Sequence, residues 1–432
     1  MKSAIVFIFN NSWGEIDFIL PVMRSLYKNR DYSLVSVFIN KDLYDRKDDY
    51  TDLFNLMDKY CKAILTPRST DRDIRGMLQH LKNNGFLNRA GLKNLIKVLL
   101  NKWFHMNYSI NIDSKKVYFV EKIQSLFQVE YILCSDPQEH IALIKYFPKT
   151  RYILYPHAIY PRGSFMDEKR MYRYPNHHDV FIKKFSTLKN YPQGTVFLVC
   201  NPDEKHYFER YFPSNINIVP IGQTKHQSEW IIEIKKVNSH KNNKKKDSLH
   251  NILLLIGKDW YIGKDELENK IRSVLSIAEK YSLRVLYKPH PRTKFSLVNL
   301  VEEFDQVKIS KVQNSVLTSA LDVELVVSTS KSGACMDCIA VGTPVIEYYR
   351  YNNGIPENML TEFKIDGKVT GLFRHFGMVV PIDDHDQFER FIDDIIIKPS
   401  KLSSIAKKQY LALQNINYND GNVFNEVLKY VK

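Results

Sequence analysis

Short apolar runs alternate with amphipathic stretches along most of the chain. In the first half the runs are Ala4–Phe9, Leu34–Ile39, Tyr131–Cys134, Tyr152–Tyr155, Thr195–Cys200 and Ile216–Ile221. Runs this short and this apolar read as strands buried on both faces, and their alternation with helical patterns is the signature of a mostly parallel sheet. After a lysine-rich stretch the alternation restarts. It runs through NILLLIG, a helix near Asp265–Tyr281, LRVLYK, a helix near Ser296–Phe304, VKIS, VELVVS, a helix from about Ser332, and TPVIEYY. Beyond Asp384 only helical periodicity remains, and residues 66–127 read as helical and basic with no clear place in either sheet.

The pattern predicts an α/β protein made of two Rossmann-like, doubly wound domains facing a cleft, with C-terminal helices: the GT-B architecture. The expected divisions are an acceptor-binding domain at 1–225, a basic linker at 226–250, a nucleotide-binding domain at 251–385 and closing helices at 386–432. A chain of 432 residues fits two domains of roughly 200 residues each. Charged residues at 25% and hydrophobic ones at 44% are ordinary globular usage.

No run of about 18 apolar residues occurs, and MKSAIVFIFNNSWGE is interrupted by Asn10 and Asn11, so it reads as a first core strand rather than a signal peptide. Five scattered cysteines, an odd number, fit a reducing cytoplasm. The formal charge of +14 calls for an anionic partner. Nucleic acid is excluded, because the basic stretch Lys235–His250 carries neither interleaved aromatics nor a groove-reading helix. A solvated connector is the simpler reading of that stretch. Contact between the lysines of Lys241–Lys246 and the inner face of the cell membrane is the alternative, which would make the protein peripheral.

Chemistry concentrates in two turns of the second half. In VLYKPHPRTKF, His290 sits between Pro289 and Pro291, flanked by Lys288 and Arg292, where an apolar strand ends. Prolines there should stop strand pairing, which leaves two cations and an imidazole at the carboxyl edge of a sheet, where open α/β folds bind ligands. In ELVVSTSKSGACMDCIAVGTPVIEYY, a strand runs into Ser328, Thr329, Ser330, Lys331, Ser332 and Gly333 before a helix begins. Free N–H groups and hydroxyls at a helix start suit a phosphate, although Ser330 or Ser332 could equally be a plain N-cap.

The ordered pair, a His-Pro turn followed by a serine-rich turn and a G-x-P-V-I strand, resembles cytidine-nucleotide-using GT-B transferases: bacterial sialyltransferases, retaining β-Kdo transferases and teichoic-acid glycerophosphotransferases. The resemblance spans about Asn251–Tyr351. It implies that His290 contacts the donor phosphate, and that Ser332, with Ser330 or Thr329, binds the same phosphate from the helix start. Here Lys331 separates hydroxyls that those families usually place side by side.

Other candidates are less specific. Glu347 could take ribose hydroxyls, and Gly257 with Lys258 could let a donor approach the backbone. On the acceptor side, Glu15 and Asp17 are expected on the loop opening the first helix. They stand as candidate bases, with helix-dipole complementation as the plain alternative. Asp136 and His157 are further strand-end candidates. Cys335 and Cys338 spell C-x-x-C, but two ligands make no zinc site, so buried packing is expected. Neither a metal nor a cofactor is expected beyond the donor itself.

The resulting expectation is a metal-independent glycosyltransferase. It would move Kdo or a sialic-acid-like sugar from a CMP-activated donor to a capsule, lipopolysaccharide or lipid-linked glycan. His290, Lys288, Arg292 and Ser332 would neutralise the leaving phosphate. A CDP-glycerol or polyol-phosphate transferase and a UDP-sugar 2-epimerase are the alternatives.

Overall fold

The computed structural model describes residues 3–10, 12–29, 31–66, 120–135, 141–155, 186–238, 248–257, 263–290, 293, 297–350, 363–365, 368–416, 427 and 429–430. Its chain divides into two compact units, one comprising Met1–Met166, Pro175–Ile221 and Asn422–Lys432, the other Asp167–Tyr174 and Gly222–Gly421.

The first unit is built on β1 (Ser3–Phe9), β2 (Ser33–Phe38), β3 (Ala63–Leu65), β4 (Gln128–Cys134), β5 (Arg151–Leu154), β6 (Thr195–Val199) and β7 (Ile216–Pro220). They form a parallel sheet in the order β3-β2-β1-β4-β5-β6-β7. Every residue of β2 is buried, as the unbroken apolar runs require of a sheet covered on both faces.

The second unit holds β8 (Asn251–Ile256), β9 (Arg284–Pro289), β10 (Ile309–Lys311), β11 (Leu325–Ser328) and β12 (Val345–Tyr348). After these come a small hairpin of β13 (Phe363–Ile365) and β14 (Lys368–Thr370), and then β15 (Val380–Ile382). The main sheet is parallel in the order β10-β9-β8-β11-β12-β15. Strand order therefore reverses between β8 and β11, and between β1 and β4 in the first unit. Such reversals open a crevice at the carboxyl edge of a doubly wound sheet.

Helix Lys264–Lys280 buries Leu267, Ile271, Val274, Leu275 and Ala278, an i, i+4, i+7 stripe that packs into the second core. Helix Ala334–Ala340 ends in a Schellman motif: Gly342 at φ +86 donates to the Ile339 carbonyl, and Thr343 donates to that of Cys338. Pro344 follows, so G-T-P both stops the helix and starts β12.

Pro289 is the last residue of β9, as the sequence predicts; it is paired with Ile256, and the His290 N–H adds one further bond to the Ile256 carbonyl at 2.8 Å. The N–H groups of Arg284 and His290 point to β8, whereas that of Val285 points to the β10 side. By this alternation the missing N–H of Pro289 falls on the β10 side, where β10 has already stopped at Lys311. Helices His385–Ile397 and Ser400–Ile416 belong to the second unit, because Phe388, Ile392, Ile395 and Leu402 lie in its core, while the terminal residues 422–432 group with the first. Part of the expected linker is helical, Ser228–Asn238; residues 239–247, with the lysine run, lie outside the described residues. Of the expected helical region 66–127, residues 120–126 are helical and 67–119 lie outside.

Candidate functional site

Three neighbouring strand ends meet at the reversal in the second sheet, and direct bonds tie them. Gly257, just past β8, donates its N–H to Thr329 Oγ1 at 3.1 Å. The Thr329 hydroxyl donates in turn to the Leu255 carbonyl at 3.2 Å, and the Thr329 N–H reaches the same carbonyl at 3.0 Å. On the other side of β8, the His290 backbone is bonded to Ile256, and the Thr293 N–H closes a turn onto the His290 carbonyl at 2.9 Å. His290, Gly257 and the serine turn therefore stand on adjacent strands at one edge.

The turn residues differ sharply in what they offer. Ser330 is only 2% exposed, with its side chain lodged against Gly257 where a Cβ at that position would sit. Its carbonyl accepts from the Ser328 hydroxyl at 2.7 Å. Ser332 is half-buried, and its Oγ accepts from the Ala334 N–H at 3.3 Å. A hydroxyl that accepts from the helix start still has its own proton to donate outward. Of the two serines, Ser332 is the more exposed. A Cβ at Gly333 would meet only the end of Met336 at 3.9 Å, so no close backbone approach within the protein requires glycine there.

Several expected site residues prove to be engaged. Lys288 is buried and donates Nζ to the Asn314 carbonyl at 2.6 Å, which pins the connection after β10 instead of presenting an open cation. Glu347 is 0% exposed and bound by Arg374 Nε at 3.1 Å and by the Tyr349 hydroxyl at 3.1 Å. It is therefore an internal counter-ion at the end of β12, not an exposed ribose acceptor. In the first unit, Glu15 and Asp17 lie within helix Trp13–Asn29, not on a loop before it, and both are buried. Glu15 Oε2 accepts the Asn10 N–H at 3.0 Å, so its carboxylate secures the turn from β1 into the helix. Lys258, Pro291, Arg292, Asp136 and His157 lie outside the described residues. Cys335 and Cys338 are buried free thiols whose pKa values burial pushes well above the ordinary thiol range.

Sequence reasoning missed one charged cluster altogether. Asp337, one turn into the helix that follows Ser332, is buried and accepts from Lys225 Nζ at 2.9 Å and pairs with His226 Nε2 at 2.8 Å. Its partners lie more than 100 residues away in sequence, and no local spacing announces them. Burial alone would raise the Asp337 carboxyl, but Lys225 and His226 reverse this and hold it below the ordinary carboxylate value. A carboxyl depressed in the folded state stabilises the fold above its unfolded pKa of about 3.9, and that contribution disappears as pH falls through the folded value. Asp337→Asn should therefore cost about 3–5 kcal/mol near neutral pH. The gap in melting temperature from the parent should narrow below about pH 4. A gap that stays constant from pH 7 to pH 3 would mean that the charge of Asp337 is not what stabilises this cluster.

No protein-family model matches the chain, and no curated protein matches it in sequence. Solved structures do share its fold from end to end. S. aureus MnaA with UDP aligns over 100% of this chain and 96% of its own at 13% identity, with a TM-score of 0.54. Methanocaldococcus jannaschii UDP-GlcNAc 2-epimerase with UDP-GlcNAc and UDP aligns over 100% and 99% at 14% identity, TM-score 0.51. Phytolacca americana UGT2 with UDP-2-fluoro-glucose and pterostilbene aligns over 100% of both chains at 9% identity, TM-score 0.54. At such identities the likeness concerns the fold alone: an α/β chain of two parallel-sheet units with the GT-B fold.

Proposed function

We propose that this protein is a nucleotide-sugar-dependent glycosyltransferase whose donor phosphate is held at the carboxyl edge of the second sheet. The observation that carries this reading is the joining of the ends of β8, β9 and β11 by Gly257, His290 and Thr329 at the strand-order reversal. There His290 would meet the phosphate, and the Ser332 hydroxyl, already oriented by the Ala334 N–H, would donate to it. Negative charge grows on that phosphate as the sugar–phosphate bond breaks, so donors fixed beforehand lower the barrier. The His-Pro and serine-turn order favours a CMP-activated Kdo or sialic-acid-like donor and a glycan acceptor.

A second reading, a UDP-sugar 2-epimerase, is favoured by a different observation: two of the full-length structural matches carry UDP, and one of these is named as a UDP-GlcNAc 2-epimerase. Melting temperature in the presence of CMP, CDP, UMP, UDP or GDP separates the two, because a ligand of the folded state stabilises by mass action. The expected result is selective stabilisation by CMP, with affinity weakened in Ser332→Ala by roughly ten- to a hundredfold. Selective stabilisation by UDP, with C2 epimerisation of UDP-GlcNAc in the absence of any acceptor, would replace the transferase reading with the epimerase one. An equal response to all five would sink both.

A further inference from the structure

Helix Ser400–Ile416 has two unlike faces. Leu402, Gln409 and Leu413 are buried along one stripe. Leu402 joins the second core, and the Gln409 side chain accepts from the Val345 N–H at 2.9 Å and donates to the Val345 carbonyl at 2.6 Å. At 3.6 residues per turn, Ser404, Lys407 and Leu411 fall on the opposite stripe, flanked by Lys408 and Tyr410. All five are exposed, Leu411 to 55%. The helix is entered from helix His385–Ile397 by a tight turn, in which Lys401 and Leu402 donate to the carbonyls of Lys398 and Pro399, and Ile397 stands 82% exposed at that turn. Of the six large hydrophobic side chains exposed among the described residues, four (Ile396, Ile397, Tyr410 and Leu411) belong to this helix pair. Exposed hydrophobics scattered singly need no explanation, whereas their concentration on one pair of helices does.

Charge says what covers them. The helix Ser400–Ile416 contains no acidic residue. The acids nearest the turn are engaged: Asp394 pairs with Lys401 at 2.9 Å, and Asp393 accepts from the Tyr281 hydroxyl. Lys398, Lys407 and Lys408 therefore leave this face positive, in a chain whose formal charge is already +14. We infer that this face docks on an anionic lipid bilayer, with Ile397 and Leu411 entering the headgroup region and the three lysines meeting lipid phosphates. Lysine stems can lie along apolar surface while their amines stay among the headgroups, and a phenol such as that of Tyr410 favours the same interface. Apolar burial and attraction to anionic lipid then add. The docking does not rest on the donor reading.

The test floats the full chain with vesicles of phosphatidylcholine alone or with about 30% phosphatidylglycerol, at low salt and at about 0.15 M. The wild type should be retained by the anionic vesicles only, and less at the higher salt. Ile397→Gln/Leu411→Gln keeps every charge and should weaken retention about tenfold. Lys407→Gln/Lys408→Gln keeps the apolar side chains and should weaken it about tenfold or more. Because all four positions are exposed, both variants should melt with the parent. Retention that is absent from the wild type, or unchanged in either double variant, overturns the inference. Retention unchanged in both but lost when the lysines of Lys241–Lys246 are replaced by serine also overturns it and moves the contact to that run. A wild type that self-associates in light scattering, and becomes monomeric in Ile397→Gln/Leu411→Gln, overturns it as well, because a second copy then covers the face.

Discussion

Gly257→Ala should abolish nucleotide binding and lower the melting temperature, and Ser330→Ala should not rescue it. A Cβ at position 257 would stand 1.7 Å from Ser330 Oγ and 2.3 Å from Ser330 Cβ, separations that no relaxation of a flexible side chain can absorb. Ser330 is buried, so its side chain has nowhere to swing, and the Thr329 hydrogen bond to the Gly257 N–H fixes the backbone on both sides. Overpacking of this kind costs about 1–3 kcal/mol, paid largely by displacement of the serine turn. Deleting only Oγ leaves the 2.3 Å clash with Cβ. Ser330→Gly removes both atoms, and the remaining approach to the Ser330 Cα, 3.4 Å, is ordinary contact. The double variant Gly257→Ala/Ser330→Gly should therefore regain stability and part of its nucleotide affinity. Thermal melts and nucleotide titration of the three variants check this. A Gly257→Ala protein that melts and binds like the parent would show that the strand-end junction is not the donor site.

What could be read from the chain was what is local. Apolar runs such as NILLLIG and VELVVS marked β8 and β11, and the polar residues after them marked the sheet edge, because strand burial and turn chemistry are both written within a few neighbouring positions. Less local features were misread or missed. β15 carries Pro381 inside a three-residue strand, tolerable only because β15 is an edge strand, and edge position is a property of the whole sheet. Pro289 ends β9 as read, but what makes it tolerable there is the length of β10, which no residue near Pro289 records. Lys288 and Glu347 kept their predicted places at strand ends but not their expected availability, since their partners Asn314 and Arg374 come from other parts of the chain, a bend and a short helix.

Arg374→Met should be among the most destabilising single substitutions in the second unit, at about 3–5 kcal/mol. Arg374 has 8% of its side chain exposed and Glu347 has 0%, so the pair sits where an uncompensated carboxylate is expensive. The guanidinium does more than neutralise Glu347. Nη2 donates to the carbonyls of Glu347 at 3.0 Å and Tyr349 at 2.7 Å, Nη1 donates to Asp383 at 2.7 Å, and the group lies 4.7 Å from the Tyr349 ring centroid. One side chain thereby fastens the end of β12 to the end of β15. Burial opposes its charge, but Glu347 and Asp383 hold Arg374 protonated, its pKa raised above the ordinary guanidinium value. Glu347→Gln in the Arg374→Met background should recover much of the loss, because removing both charges leaves no buried ion without a counter-charge. Recovery should be incomplete, since the two backbone carbonyls lose their donor in either case. Chemical denaturation of the two single variants and the double one measures the coupling, expected to be at least about 2 kcal/mol. Additive losses would mean that the pair is not coupled and that Glu347 is available after all, and the ribose contact expected of it from sequence would then have to be tested directly by nucleotide affinity in Glu347→Gln.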